Sequence, residues 1–180
     1  MSATADSLAA WVAAQADLSD YAVGRVLEVG GSDGEEYFGR LGAAEFVSLP
    51  QPSESLSANT PFDLVHCSAD LETELHPLSV YAWLRTLVAP GGMLLAGSSV
   101  LAEAAHSQYA EYVSAGDPAA ARWLPGRLAF RWMVEVSGFD VRNWLDDPPP
   151  SGDGQPRAYL LATAVERVPA LDLSRQPLGR

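Results

Sequence analysis

Gly24-Arg-Val-Leu-Glu-Val-Gly-Gly-Ser-Asp-Gly34 decides the reading of this chain: an apolar run ends in a cluster of glycines and passes into Glu35-Glu36-Tyr37-Phe38, the opening of a helix. Val26, Leu27 and Val29 suit a strand buried on both faces, the pattern of parallel sheets. Gly30, Gly31 and Gly34 permit a tight turn and close approach of the backbone to a ligand. Strand, glycine turn and helix in that order commonly form a nucleotide site in which helix amides face a phosphate. Here Asp33, Glu35 and Glu36 crowd the helix start, where carboxylates suit the helix dipole but repel phosphate. A neutral or cationic nucleoside is the better match.

Outward from that stretch, strands and helices alternate. Residues 6–16 carry Leu8, Trp11 and Val12 at helical spacing, with Asp6 or Ser7 as cap and Trp11 as core packing. After the glycine turn a helix is expected over 35–41, burying Tyr37, Phe38 and Leu41 and ending at Gly42. Strands follow at 45–49, closed by Pro50, and at 62–66. A helix begins at His76-Pro77 and continues through Leu78, Tyr81, Leu84 and Leu87, and Pro90-Gly-Gly92 turns into a further strand reaching Leu95. Residues 102–125 read as polar and irregular, with His106, Tyr109, Tyr112 and Trp123, at the carboxyl end of that strand, where open α/β sheets bind ligands. A helix opens near Pro125 and runs to Glu135, a strand covers 138–144, a loop rich in Pro, Gly and Asp covers 146–156, and a last strand covers 157–165. Residues 169–180 read as a loosely ordered tail, so a single domain over 1–168 is expected.

Composition bounds the function. The 180 residues are 48% hydrophobic, enough for one domain with a substantial core. Eleven basic residues stand against 23 acidic ones, a formal charge of −12, which repels polyanions and disfavours nucleic acid as a partner. No run approaches the roughly 20 apolar residues of a membrane helix, and the amino terminus lacks the basic region of a secretory signal. Cys67 is the sole cysteine, so an intramolecular disulfide is excluded and a cytoplasmic location is expected. Small molecules or proteins remain as partners.

Three segments in order, Glu28-Val-Gly30-Gly-Ser32-Asp-Gly34, Phe62-Asp-Leu-Val and Pro90-Gly-Gly92, resemble the class I S-adenosylmethionine-dependent methyltransferases, with Ser32 where the family usually has glycine. The resemblance implies a three-layer, Rossmann-like α/β sheet, mostly parallel with an antiparallel last strand. It also implies S-adenosylmethionine as cofactor and methyl transfer to a small molecule. Two departures stand beside it. The family's second strand normally ends in an acidic residue for the ribose hydroxyls, and Pro50 occupies that place. The eleven residues 51–61 then precede the next strand, too few for the family's helix, strand and helix, since a crossover alone takes about 10–12 residues and a strand about five. The third strand and its flanking helices, the family's adenine wall, are therefore expected to be missing. Glu45 is at the wrong end of its strand to serve the ribose, and Glu54 would have to reach back over the site. Other readings stay open: a methyltransferase-like protein that no longer methylates and acts as a binding or assembly partner, or the same pocket used for a rearrangement or other non-methyl chemistry. The exposed edge of the second strand would suit a homodimer that replaces the missing wall.

By the resemblance, Gly30 and Gly31 would meet the methionine part of the cofactor through their backbones, and Glu28 would orient the turn or reach the amino group through water. Ser32, Gly34 and Leu49 complete that side, and Cys67, Ser68 and Ala69 lie in the loop that packs against the cofactor. Cys67 reads as a buried thiol, with His66 on the opposite face of its strand. Asp70, Glu72 and Glu74 read first as solvated surface, and His76 as a helix-start residue. His106 and Tyr109 are the candidates for removing the acceptor's proton. The three histidines are scattered without a paired carboxylate spacing, so no metal site is expected. Trp123 and Trp144 could line an apolar substrate pocket, while Trp132 reads as core.

Overall fold

The computed structural model describes residues 18, 20–30, 34–52, 60–68, 77–101, 108–113, 122–145 and 156–166. The expected helix over 6–16, Glu54, the acidic loop 70–76 and the tail 169–180 lie outside the described residues, as do Gly31, Ser32, Ala69 and His106.

The elements are β1 (Arg25–Val29), α1 (Gly34–Arg40), β2 (Glu45–Leu49), β3 (Phe62–Cys67), α2 (Pro77–Leu87), β4 (Val88–Ser99), β5 (Ala110–Val113), β6 (Arg122–Pro125), α3 (Arg127–Val136), β7 (Phe139–Leu145) and β8 (Arg157–Ala164). Six strands form one sheet in the order β2-β1-β3-β4-β8-β7. β1 is parallel to β2 and β3, and β3 to β4, whereas β8 runs antiparallel to both β4 and β7. The sheet is thus mostly parallel with an antiparallel last strand, inserted between β4 and β7. Among the described residues no strand lies beyond β2, which forms the sheet edge.

The apolar runs explain the layers. Val26, Leu27 and Val29 are fully buried because both faces of β1 are covered. Leu27, Val29, Val65 and Cys67 pack with Tyr81, Leu84 and Phe130 of α2 and α3, while Val26 and Leu64 pack with Phe38 of α1 and with Leu18 on the other face. α1 stops where Gly42 adopts φ 93°, and Ala43 donates to the Phe38 carbonyl at 3.1 Å, satisfying an end carbonyl of the helix. Gly91, at φ 77°, makes the Pro-Gly-Gly turn.

The amino-terminal edge of the sheet is tied by two arginines. The Arg25 backbone N–H donates to Asp63 at 2.8 Å, and its guanidinium donates to both Glu45 carboxylate oxygens and to the Thr60 and Pro61 carbonyls. Gly24 packs directly against this contact: a Cβ there would lie 2.1 Å from the Asp63 carboxylate and would displace it. Arg85, buried at the end of α2, donates to the carbonyls of Gly138, Val88 and Val165, joining the first residues of β4 and β7 to the end of β8. Burial lowers its pKa from the ordinary value, and the guanidinium keeps its proton.

Two expectations are corrected. The stretch expected to be irregular contains a hairpin, β5 paired antiparallel with β6, held to the end of β4 by the Leu101 amide donating to the Pro125 carbonyl at 3.0 Å. Trp132, expected in the core, is 56% exposed. The buried residues of α3 are Phe130 and Val134, one helical turn apart, and Trp132 falls midway between them on the outer side.

Candidate functional site

The carboxyl ends of β1, β2 and β3 converge as the fold requires, and the glycine turn leaves from their centre. The Gly30 amide donates to the Leu49 carbonyl at 2.8 Å, and the Ser68 amide donates to the Val29 carbonyl at 2.9 Å, so the three strand ends are knitted together. Gly30 is exposed with φ 82°, a left-handed conformation suited to glycine that turns the chain out of β1. Glu28, Gly30, Gly34, Leu49, Cys67 and Ser68 are therefore gathered at one edge of the sheet.

Beneath the turn is a buried polar cluster. Glu28 is 3% exposed and accepts a hydrogen bond from the Gly34 amide at 3.3 Å. A Cβ at Gly34 would lie 2.4 Å from a Glu28 carboxylate oxygen, so a side chain there would displace the carboxylate. Across the β1–β3 ladder Glu28 stands in register with His66, whose Nδ1 lies 3.3 Å from Glu28 Oε1. His66 is 5% exposed, packs edge-on to Phe38 with ring centroids 5.9 Å apart, and neither of its ring nitrogens meets hydrogen-bond geometry with a described residue. Sequence reasoning placed His66 opposite Cys67, and it does face the α1 layer while Cys67 packs in the α2 layer. It missed the pairing with Glu28, which depends on the register between strands 38 residues apart.

Pro50 follows β2 directly, and Glu45, at the other end of that strand, is held by Arg25. Neither offers a carboxylate at the carboxyl edge. Tyr109 is 63% exposed just before β5, where the Gly126 amide donates to its carbonyl at 2.6 Å. A separate open groove of ≈ 410 Å³ lies between the hairpin and α3, lined by Gln108, Ala110, Leu128, Ala129, Trp132 and Met133. Trp144, half-buried, stands near Phe130 with ring centroids 6.0 Å apart and under the Arg127 guanidinium at 4.7 Å. Trp123 lies in β6 opposite Tyr112. Among the described residues no helix is long and apolar enough to cross a membrane.

This sheet order, with the glycine turn after β1 and the antiparallel β8 inserted near the far edge, is the fold of the class I S-adenosylmethionine-dependent methyltransferases. Solved structures bear this out. The chain is similar to an S-adenosylmethionine-dependent methyltransferase from Mesorhizobium loti at 13% identity and TM-score 0.59, covering 88% of this chain and 99% of that one. It is also similar to the 1,6-didemethyltoxoflavin-N1-methyltransferase of Burkholderia thailandensis, solved with 1,6-didemethyltoxoflavin and S-adenosylhomocysteine bound, at 16% identity and TM-score 0.59 over 89% and 80% of the two chains. An S-adenosylmethionine-dependent methyltransferase from Clostridium acetobutylicum matches at 8% identity and TM-score 0.56 over 89% and 92%. No protein-family model matches the chain, and no curated protein does.

Proposed function

We propose that the protein is an S-adenosylmethionine-dependent methyltransferase acting on a small molecule in the cytoplasm, its residues 1–168 forming one domain. The observation that carries this reading is the glycine turn on a buried carboxylate: Gly30 at positive φ, Gly34 packed directly against the Glu28 carboxylate, and Glu28 beneath them. A turn with three glycines lets a ligand approach the backbone closely, and residues 30, 31, 32 and 34 would hold the methionine part of the cofactor. Leu49, Cys67, Ser68 and Ala69 would flank it. The cofactor supplies an activated methyl group on a sulfonium. The chain's task is to align the acceptor and exclude water, which needs few reacting side chains. His106 and Tyr109 are the proposed acceptors for the substrate's proton.

The residues present fit the amino-acid end of the cofactor better than its nucleoside end. Among the described residues, Pro50 follows β2 and Glu45 is engaged by Arg25, so neither would supply the ribose carboxylate that the family usually has. Each missing polar contact weakens binding by about 1–3 kcal/mol, tenfold to a hundredfold. That deficit supports the second reading, a protein that has kept the fold and serves as a binding or assembly partner. In either reading a second copy of the chain laid along the β2 edge would supply the missing wall.

Calorimetric titration with S-adenosylmethionine and S-adenosylhomocysteine separates the two readings. The methyltransferase reading expects binding by the wild-type protein and its loss in Gly30→Trp, whose side chain would fill the turn. Absence of binding at about 1 mM ligand, with the protein folded, removes that reading and leaves the partner role.

A further inference from the structure

We propose that His66 is a positioning residue for the glycine turn: its imidazole carries a proton on Nδ1 and donates it to Glu28, which in turn holds the Gly34 amide. The effect on cofactor affinity rests on the methyltransferase reading. The placement itself rests on the protein alone.

Residues 28 and 66 face each other in register on adjacent parallel strands, so their side chains leave the same face of the sheet. Both are nearly excluded from water, at 3% and 5% exposure. A carboxylate buried to that degree needs donors around it. Among the described residues two stand near it at 3.3 Å, the Gly34 amide at Oε2 and His66 Nδ1 at Oε1. His66 for its part meets hydrogen-bond geometry with no described residue at either nitrogen. It is therefore not a core histidine tied to a backbone carbonyl. Its ring is packed edge-on against Phe38, in a strand whose other neighbour places Leu95 in register with it. Those contacts are apolar, and the polar group that stands beside the ring is Glu28 Oε1, 3.3 Å from Nδ1 though outside hydrogen-bond geometry. A small rotation of the ring would let an Nδ1–H tautomer reach Oε1, leaving Oε2 for Gly34 and fixing the carboxylate where the turn passes over it. Among the described residues the link between β1 and α1 then has two polar ties, Gly30 to Leu49 and Gly34 to Glu28, and His66 governs the second.

Packing and positioning predict opposite orders for two variants. His66→Asn keeps an N–H at the Nδ1 position but leaves space against Phe38, and His66→Leu fills that space but offers no donor. The readouts are hydrogen exchange at the Gly34 amide and calorimetric affinity for S-adenosylhomocysteine, with thermal unfolding as the check on folding. Positioning expects His66→Leu to speed Gly34 exchange and weaken the ligand by about tenfold each, with His66→Asn within about threefold of wild type on both. The reverse order, with Leu tolerated and Asn impaired, overturns the proposal. Failure of the wild-type protein to bind S-adenosylhomocysteine removes the cofactor reading alone, because Gly34 exchange still decides the role of His66. A measurement on the unaltered protein covers the case in which a variant does not fold. The ¹⁵N shifts of the His66 ring report its tautomer directly. A proton on Nδ1 that is lost in Glu28→Met, which has no acceptor oxygen, supports the pairing, and an Nδ1 without a proton in the unaltered protein overturns it.

Discussion

The two ends of the parallel strands are built on different terms. At the amino edge the charged side chains meet several hydrogen-bond partners each: Arg25 reaches two carboxylates and two carbonyls, and Arg85 reaches three carbonyls from three separate strand ends. At the carboxyl edge a buried carboxylate is held by two contacts at 3.3 Å, beside an imidazole whose nitrogens lack hydrogen-bond geometry with the described residues. Unsatisfied polar groups destabilise a fold and persist where function requires them. The difference locates stability at one edge and, in the proposed reading, ligand recognition at the other, as in open α/β sheets generally.

The strongest way to break the amino edge is Arg85→Met. Methionine fills much of the same space yet leaves the Gly138, Val88 and Val165 carbonyls without the donors they have now. Hydrogen bonds to a charged group contribute about 1.5–3 kcal/mol, and a buried acceptor left unmade costs about 1–3 kcal/mol. Urea denaturation should show a loss of about 3 kcal/mol with an unchanged slope, and Arg85→Lys a smaller loss. A variant within about 0.5 kcal/mol of wild type would mean that the three strand ends are held by packing alone.

A much smaller effect on stability is expected at the carboxyl edge. Glu28→Met combined with His66→Leu replaces a buried, loosely bonded polar pair by apolar side chains, a change that is often neutral or stabilising by about 1–4 kcal/mol. The Gly34 amide loses its acceptor at the same time, a cost of about 1–3 kcal/mol that offsets this gain, so stability should stay within about 1 kcal/mol of wild type in the same denaturation measurement while affinity for S-adenosylhomocysteine is lost. Each single variant should be destabilised, because it strands the remaining partner. A double variant as unstable as the singles would place the carboxyl edge on the same terms as the amino edge and remove the contrast.

Much of this was legible in the sequence, and the limit has a physical cause. Local pattern sufficed for β1, α1, β2, β3 and α2, because apolar runs punctuated by Gly30, Gly42, Pro50 and Pro90-Gly-Gly92 specify element type and ends within a few residues. Residues 51–61 were also decisive, since a count of residues limits what they can hold. β5 and β6 escaped because four-residue strands such as Ala110-Glu-Tyr-Val and Arg122-Trp-Leu-Pro carry no clear alternation and pair across eight intervening residues. Trp132 was misread because a tryptophan in an apolar helix suggests a core stripe, while Phe130 and Val134 alone define the buried side of α3. The site divides the same way. Glu28 and the glycines could be named from one continuous stretch, but the Glu28–His66 pair exists only through strand register, which no local pattern encodes.

The smallest expected effect sharpens the comparison from the amino edge, where the Arg25–Glu45 pair lies on the surface. Its side chains are 26% and 49% exposed, so solvent screens the attraction, and its weight is less than the number of bonds suggests. The hydrogen bond from Arg25 nonetheless draws the Glu45 carboxyl below its ordinary value of 4.5, ahead of the opposing effect of desolvation. A carboxyl whose pKa is depressed on folding binds its proton more readily in the unfolded chain. Its contribution is therefore complete above the unfolded value and disappears as pH falls through the lower, folded one. Melting temperature followed downward from neutral pH should accordingly fall slightly more steeply below 4.5 in the wild-type protein than in Glu45→Gln, where the titrating group is absent. Added salt should narrow the gap between the two proteins, because the pair is exposed. A gap that salt leaves untouched would mean that Glu45 acts through a contact shielded from solvent. In that case β2, the edge strand with a proline at its end, would be anchored as firmly as the strands at the sheet's centre.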